Sequence, residues 1–171
     1  MNDILITAPL PDFLKQPLTA TYPCHDYHGA AEKAALLKAV GAQIVGLVQG
    51  GVSLAPVELL EQLPKLQIIS VMGVGYDGVP VEYCRRRGIK VGHTPDVLTE
   101  DVADVALALT LMLSRQFHLA NRYLHAGDWP KKPLALSTSV SGKTVGILGL
   151  GRIGKAIARR LDACGMRIGY H

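Results

Sequence analysis

Thr144-Val145-Gly146-Ile147-Leu148 runs directly into Gly149-Leu150-Gly151-Arg152-Ile153-Gly154, and this stretch decides the fold. The first five residues read as a short buried strand, the next six match G-x-G-x-x-G, and an apolar-periodic helix follows to about Cys164. A glycine triplet alone is a weak signal, but placed between a strand and a helix it becomes a dinucleotide-binding candidate. Each glycine has a physical task. Gly149 permits the tight turn, Gly151 lets the backbone approach a pyrophosphate, and Gly154 lets the helix lie close to the strand. The helix start offers unpaired N–H groups and a partial positive charge to phosphate oxygens.

Downstream of the helix the chain reaches only His171, at the end of what reads as a second strand. A nucleotide-binding domain of this kind needs more strands, so the expectation is the N-terminal portion of a longer protein.

Upstream, strand-like and helix-like segments alternate. Ile4 to Ala8 reads as a strand, and Pro17 to His28 as irregular chain with a short strand near Leu18 to Tyr22. Ala30 to Val40 is a helix stopped by Gly41. Ile44 to Val48 is a continuously apolar strand followed by Gln49-Gly50-Gly51. Ala55 to Leu63 is a helix with Pro56 in its first turn, Leu66 to Val71 a strand, Val81 to Arg87 a helix ended by Gly88, and Ile89 to Gly92 a strand. This alternation predicts a parallel sheet covered by helices, so residues 1–98 form one flavodoxin-like unit. Thr99-Glu100-Asp101 then opens a long helix to about His125, with Thr99 as N-cap. Val102, Val105, Leu109, Met112 and Leu113 lie on one side of it, and Ala103, Leu107 and Leu111 make the other side apolar too. Such a helix must be covered on both sides, by a domain or a subunit. Ala126 to Ser141 is a polar connector, and residues 99–171 take in helix, connector and the first β-α-β of an incomplete Rossmann domain.

Composition agrees with an α/β protein: 49% of the 171 residues are hydrophobic and 19% charged, which argues against disorder. The net charge is +4, yet the basic residues are scattered, and the densest cluster, Arg85-Arg86-Arg87, reads as a solvated helix end. No nucleic-acid partner is expected. Cys24, Cys84 and Cys164 lack metal or C-x-x-C spacing and read as free thiols of a reducing compartment. The first residues lack a basic leader, and no apolar run approaches the ~20 residues of a membrane span. The expectations are a cytoplasmic location, no membrane and no metal.

The motifs also occur in a telling order: Gly73-Val74-Gly75-Tyr76-Asp77, Arg87-Gly88-Ile89, Thr94-Pro95-Asp96-Val97-Leu98-Thr99-Glu100-Asp101-Val102-Ala103-Asp104, then the glycine triplet. This set resembles the D-isomer-specific 2-hydroxyacid dehydrogenases, in particular the glyoxylate/hydroxypyruvate reductase and 2-ketogluconate reductase branch, over essentially the whole chain. The resemblance implies a substrate-binding domain and a nucleotide-binding domain, with a nicotinamide hydride reducing a 2-oxo acid. It places Val74 and Gly75 in the loop whose amides hold the substrate carboxylate, with Gln49, Gly50 and Gly51 lining the same cleft. Thr99 matches a position near the nicotinamide. Gly149, Leu150, Gly151, Arg152, Ile153 and Gly154 match the pyrophosphate loop, the Arg152 and Ile153 amides binding phosphate. The cofactor is NAD or NADP, with the branch leaning towards NADP.

The catalytic arginine, glutamate and histidine of the family fall beyond residue 171. Residues 1–171 alone are therefore expected to be inactive, although the parent would take a small 2-oxo or 2-hydroxy acid. The rival reading is a non-catalytic interaction module, and a homodimer or self-association through the 100–125 helix is expected in either case. The six histidines read as structural or solvent-facing, since none stands beside a carboxylate with evident orienting geometry. Asp77 reads as closing its turn, and Asp104 as a polar contact between domains. The Arg152 side chain is left between facing phosphate and facing solvent.

Overall fold

Short apolar segments, each too small to hold itself, pair side by side in a parallel sheet. The computed structural model describes residues 2–171; Met1, with which the expected first unit opens, lies outside them. The chain divides into two compact units, Met1–Pro95 and Asp96–His171.

In the first unit the strands are β1 (Asp3–Ile6), β2 (Cys24–Asp26), β3 (Ile44–Gly50), β4 (Ile68–Met72) and β5 (Lys90–Gly92), in the order β2-β1-β3-β4-β5. All pairings are parallel. This is the flavodoxin-like doubly wound order, whose ligands bind outside the carboxyl ends of the strands at the switch point beside β1. Leu5, Leu47 and Ile69 point to one face and are fully buried. They pack with side chains of α2 (Lys33–Val40), α3 (Val57–Glu61) and α4 (Val81–Arg87), notably Leu37, Leu60 and Cys84. Each such leucine contributes roughly 1.5–3 kcal/mol of burial.

The opposite face of the sheet is less covered than the first. β4 alternates, with Ile69 and Val71 buried and Ile68 and Ser70 exposed. Among the described residues α1 (Asp12–Thr21) lies over that face, where Leu14, Leu18 and Tyr22 share a groove of about 340 Å³ with Ile4, Val48 and Ile68. This helix replaces the irregular stretch and strand expected near Leu18 to Tyr22, and the second strand forms later, at Cys24. Thr and Pro disfavour helix locally. Here the Thr19 and Thr21 hydroxyls donate to the carbonyls of Lys15 and Pro17 at 2.9 Å, and the Leu14/Leu18 stripe reaches the sheet. The helices expected from Ala30 and Ala55 begin later, at Lys33 and Val57.

In the second unit, β6 (Thr144–Ile147), α7 (Arg152–Ala163) and β7 (Arg167–Tyr170) form a β-α-β unit with parallel strands. The long helix is in fact two: α5 (Thr99–Ser114) and α6 (Phe117–His125), broken at Gln116, whose φ is +53°. No glycine or proline marks the break. Instead the Thr138 N–H, from the connector, donates to the Ser114 carbonyl at 3.0 Å, and Arg115 Nε donates to Ser137 Oγ at 3.1 Å. A contact more than twenty residues away satisfies the helix end. Thr99 is the first helical residue rather than the N-cap, a position that Leu98 fills without a side-chain bond. α5 packs on α7 through Ala103 and Ala156, both fully buried. Beside them the Arg160 guanidinium bonds Asp104 at 2.6 Å and Glu100 at 2.8 Å. Asp104 thus pairs inside its own unit. Among the described residues no helix is long and apolar enough to cross a membrane.

Candidate functional site

At the carboxyl ends of β3 and β4 two glycine loops meet backbone to backbone. A Cβ on Gly73 would stand 2.8 Å from the Gly51 Cα, and one on Gly78 would stand 2.1 Å from the Ser53 carbonyl oxygen. Neither approach tolerates a side chain. The Gly51 N–H donates to Met72 O at 3.1 Å and Ala55 N–H to Gly78 O at 2.9 Å, so the two loops are stitched together. Gly50 is buried beneath them, where an added Cβ would lie 3.3 Å from both the Ala8 Cβ and the Ser53 Oγ.

The β4 loop then turns its amides outward. The Gly73 carbonyl accepts the Thr94 N–H at 2.9 Å, and the Val74 carbonyl accepts His93 Nδ1–H at 2.9 Å. Among the described residues, the N–H groups of Val74 and Gly75 have no acceptor, Val74 being half-buried and Gly75 exposed. Consecutive free amides at a glycine turn make an anion-binding concavity. The Asp77 carboxylate stands on one side of it, 3.3 Å from where a Gly75 Cβ would be.

Gln49 departs from the expected cleft lining. Its side chain is 0% exposed; Nε2 donates to Ser53 O at 3.4 Å, and Oε1 is buried without a partner. Exchanging O and N would set oxygen against the Ser53 carbonyl, so this orientation stands. Gln49 therefore holds the loop from inside.

In the second unit the glycine turn is built as its spacing requires. Gly149 has φ +90°, a conformation that side chains resist. A Cβ on Gly154 would lie 2.2 Å from the Gly149 carbonyl oxygen, so α7 sits as close to the turn as backbone allows. Gly151 is different: an added Cβ meets nothing within 4 Å. No side chain caps α7, and the Arg152 and Ile153 amides find no acceptor among the described residues. Here lies an open cradle of helix-terminal donors. Leu150 and Ile153 are half-buried beside it. The Arg152 side chain is 67% exposed and pairs with Asp96 at 2.9 Å. That pair, with Glu100 bonded to Arg160, sets the turn carrying Thr99 beside the start of α7. Asp104 and Glu100 together raise the Arg160 guanidinium above its ordinary range.

The sequence reading missed three side chains. His25 does meet a carboxylate, with Nε2 2.9 Å from Asp3 Oδ2. Arg87 is no solvated helix end: its guanidinium donates to the carbonyls of Leu60 at 2.6 Å, Leu63 at 3.0 Å and Pro64 at 3.2 Å, closing α3. His93 grips the amide loop. All three act across 19 or more residues, beyond any local pattern. Burial raises the Cys84 thiol above its ordinary value, and burial with the Asp3 charge raises Cys24. Neither is an activated nucleophile.

Known proteins are similar to this chain over nearly its whole length. Residues 4–163 match the family model of the D-isomer-specific 2-hydroxyacid dehydrogenase catalytic domain. Glyoxylate/hydroxypyruvate reductase A of Arabidopsis thaliana is 39% identical over 168 residues, which are 98% of this chain and 54% of that protein. The 2-ketogluconate reductase of Gluconobacter oxydans is also 39% identical, over 98% of this chain and 53% of its own length. Among solved structures, a 2-hydroxyacid dehydrogenase from Ketogulonicigenium vulgare superposes with a TM-score of 0.91 at 42% identity, covering 99% of this chain and 54% of that one. An NADPH-dependent glyoxylate/hydroxypyruvate reductase from Sinorhizobium meliloti, solved with NADP and malonate, gives 0.82 at 38% identity, over 99% and 53%. The chain spans about half the length of these relatives. With the parallel sheet order, the glycine loops and this match over nearly its whole length, the chain belongs to the D-isomer-specific 2-hydroxyacid dehydrogenase family.

Proposed function

We propose that this chain supplies the substrate-carboxylate loop and the pyrophosphate loop of an NAD(P)H-dependent reductase of small 2-oxo acids of the glyoxylate or hydroxypyruvate type. The observation that carries the reading is the open start of α7, where Gly151 has free space above it and the Arg152 and Ile153 amides have no acceptor among the described residues. A pyrophosphate fits that donor set, and nothing in the fold itself requires glycine at 151. When bound, the nicotinamide supplies a hydride for the carbonyl carbon. The chain's own part is orientation: the Val74 and Gly75 amides hold the carboxylate, Gly50 and Gly51 back that loop, and Thr99 stands near the nicotinamide end. NADP is the favoured cofactor, given its presence in a similar structure. The cytoplasm is the proposed location.

Residues 1–171 alone are inert in this reading, because the acid–base residues implied by the family resemblance lie outside them. The test assays residues 1–171 and the full encoding reading frame with glyoxylate and hydroxypyruvate, using NADPH and NADH. Oxidation of the cofactor by the full frame and none by residues 1–171 is the expected result. Turnover by residues 1–171 would refute their inertness, and a silent full frame would refute the reductase.

A second reading, a non-catalytic interaction module, is favoured by one observation. On α5, Val105, Leu109 and Leu113 are exposed, and Leu124 on α6 is too. The same face accounts for a homodimer of the reductase, which is the form we propose. Self-association with no reductase activity in the full frame would favour the module.

A further inference from the structure

From the geometry around β5 we infer that His93 is a positioning residue for substrate: its ring fixes the peptide plane that presents the Gly75 N–H to the substrate carboxylate. The inference rests on the 2-oxo acid reading above. In a trans peptide the C=O and N–H point to opposite sides. Two consecutive planes of this loop are held by their carbonyls from the two residues that follow β5. The Thr94 N–H takes Gly73 O at 2.9 Å, and His93 Nδ1–H takes Val74 O at 2.9 Å. The Val74 and Gly75 N–H groups are thereby turned away from the chain that follows β5, together and without an acceptor among the described residues.

One of these two holds is main chain and survives any substitution but proline. The other depends wholly on the side chain at 93. A carbonyl only accepts, so the bond requires the proton on Nδ1. The ring is steadied by Tyr76, which meets it edge-on with centroids 4.9 Å apart at 69°. Without His93 the Val74–Gly75 plane, next to a glycine, is free to rotate. The carboxylate then loses an aligned donor and faces a carbonyl oxygen for part of the time.

The test replaces His93 in the full-frame protein with Leu, Asn and Asp. Asn sets an N–H donor close to the Nδ1 position, whereas ionised Asp has the same shape and no donor. H93L and H93D are expected to raise KM for glyoxylate about tenfold, with kcat changed less than threefold and KM for NADPH unchanged. H93N is expected to stay within about twofold of wild type. Oxalate, an unreactive carboxylate probe, should lose affinity in parallel in H93L and H93D. An unchanged glyoxylate KM in H93L and H93D overturns the inference, and so does H93N as impaired as H93D. One measurement needs no variant: the imidazole ¹⁵N shifts of wild-type His93 must report a proton on Nδ1, and the Nε2–H tautomer overturns the proposal outright. If the wild-type full frame reduces no 2-oxo acid, the reductase reading fails before any variant is compared, and the tautomer measurement still judges the geometry.

Discussion

The glycines at 151 and 154 do different physical work, so alanine at each should fail in a different assay. In G154A the new Cβ would start 2.2 Å from the Gly149 carbonyl oxygen and 3.2 Å from its carbon, both main-chain atoms in a turn already at φ +90°. Real contacts of this kind do not fall below 3.0 Å, so helix and turn must separate by about 0.8 Å or more. Overpacking of this sort costs roughly 1–3 kcal/mol. The atoms met are main chain and cannot rotate aside, which places the cost at about 2–3 kcal/mol; alanine recovers about 1 kcal/mol as the better helix former, and the net is about 1–2 kcal/mol of lost stability. For a chain of 171 residues that is a fall of roughly 2–8 °C in melting temperature. G151A meets no atom within 4 Å, and its extended φ of −73° with ψ −161° suits any residue. Its stability should stay within ~0.5 kcal/mol of wild type. The methyl instead occupies the cradle above the free amides, and affinity for NADPH should drop by about tenfold or more, worth ~1.4 kcal/mol. Melting by circular dichroism and titration of NADPH fluorescence in the full frame separate the two effects. A G154A that melts like wild type, or a G151A that binds NADPH like wild type, would refute the assignment.

Arg87→Ala removes three bonds to the carbonyls that end α3 and should cost about 2 kcal/mol in urea unfolding, with Arg87→Lys recovering only part because it lacks the fork. The buried Cys84 thiol is held above its ordinary value of 9.0, so the unfolded chain releases that proton first. The Cys84 contribution to stability is therefore complete below pH ~9 and lost as pH rises through the raised value; a denaturation series from pH 7 to 10.5 should show a decline that Cys84→Ala diminishes. Leu109→Lys, on the exposed face of α5, should shift sedimentation of the protein towards monomer, because Leu109 is 53% exposed in the single chain.

Much of the fold is legible because its signals are local. Ile44 to Val48 is apolar at every position but a glycine and forms the central β3, and Gly88 at φ +69° ends α4 as a C-terminal glycine does. The glycine triplet is read correctly as strand, turn and helix because its structural demands are local: Gly149 answers to its own positive φ and Gly154 to the carbonyl of Gly149, five residues back. The failures share the opposite property. α1 forms across Thr and Pro because Leu14 and Leu18 find the sheet, and α5 stops at Ser114 because Thr138 reaches back to it. Neither partner is visible from the segment it decides.

The candidate site divides along the same line, and the reason is chemical. Its donors are main-chain N–H groups, which carry no side-chain signature, so a sequence reveals them only through the glycines that let a ligand come close. Those glycines, at 73, 75, 149, 151 and 154, stand out at once. What aims the donors is another set of residues. His93 holds Val74 O from 19 residues away, and buried Gln49 braces Ser53 from the strand below. A histidine that hydrogen-bonds a carbonyl reads in sequence like any other histidine, and a glutamine at a strand end reads like a cleft residue. The groups most visible in the sequence therefore mark the candidate loops, while the groups that fix how those loops are held emerge only when distant strands are brought side by side.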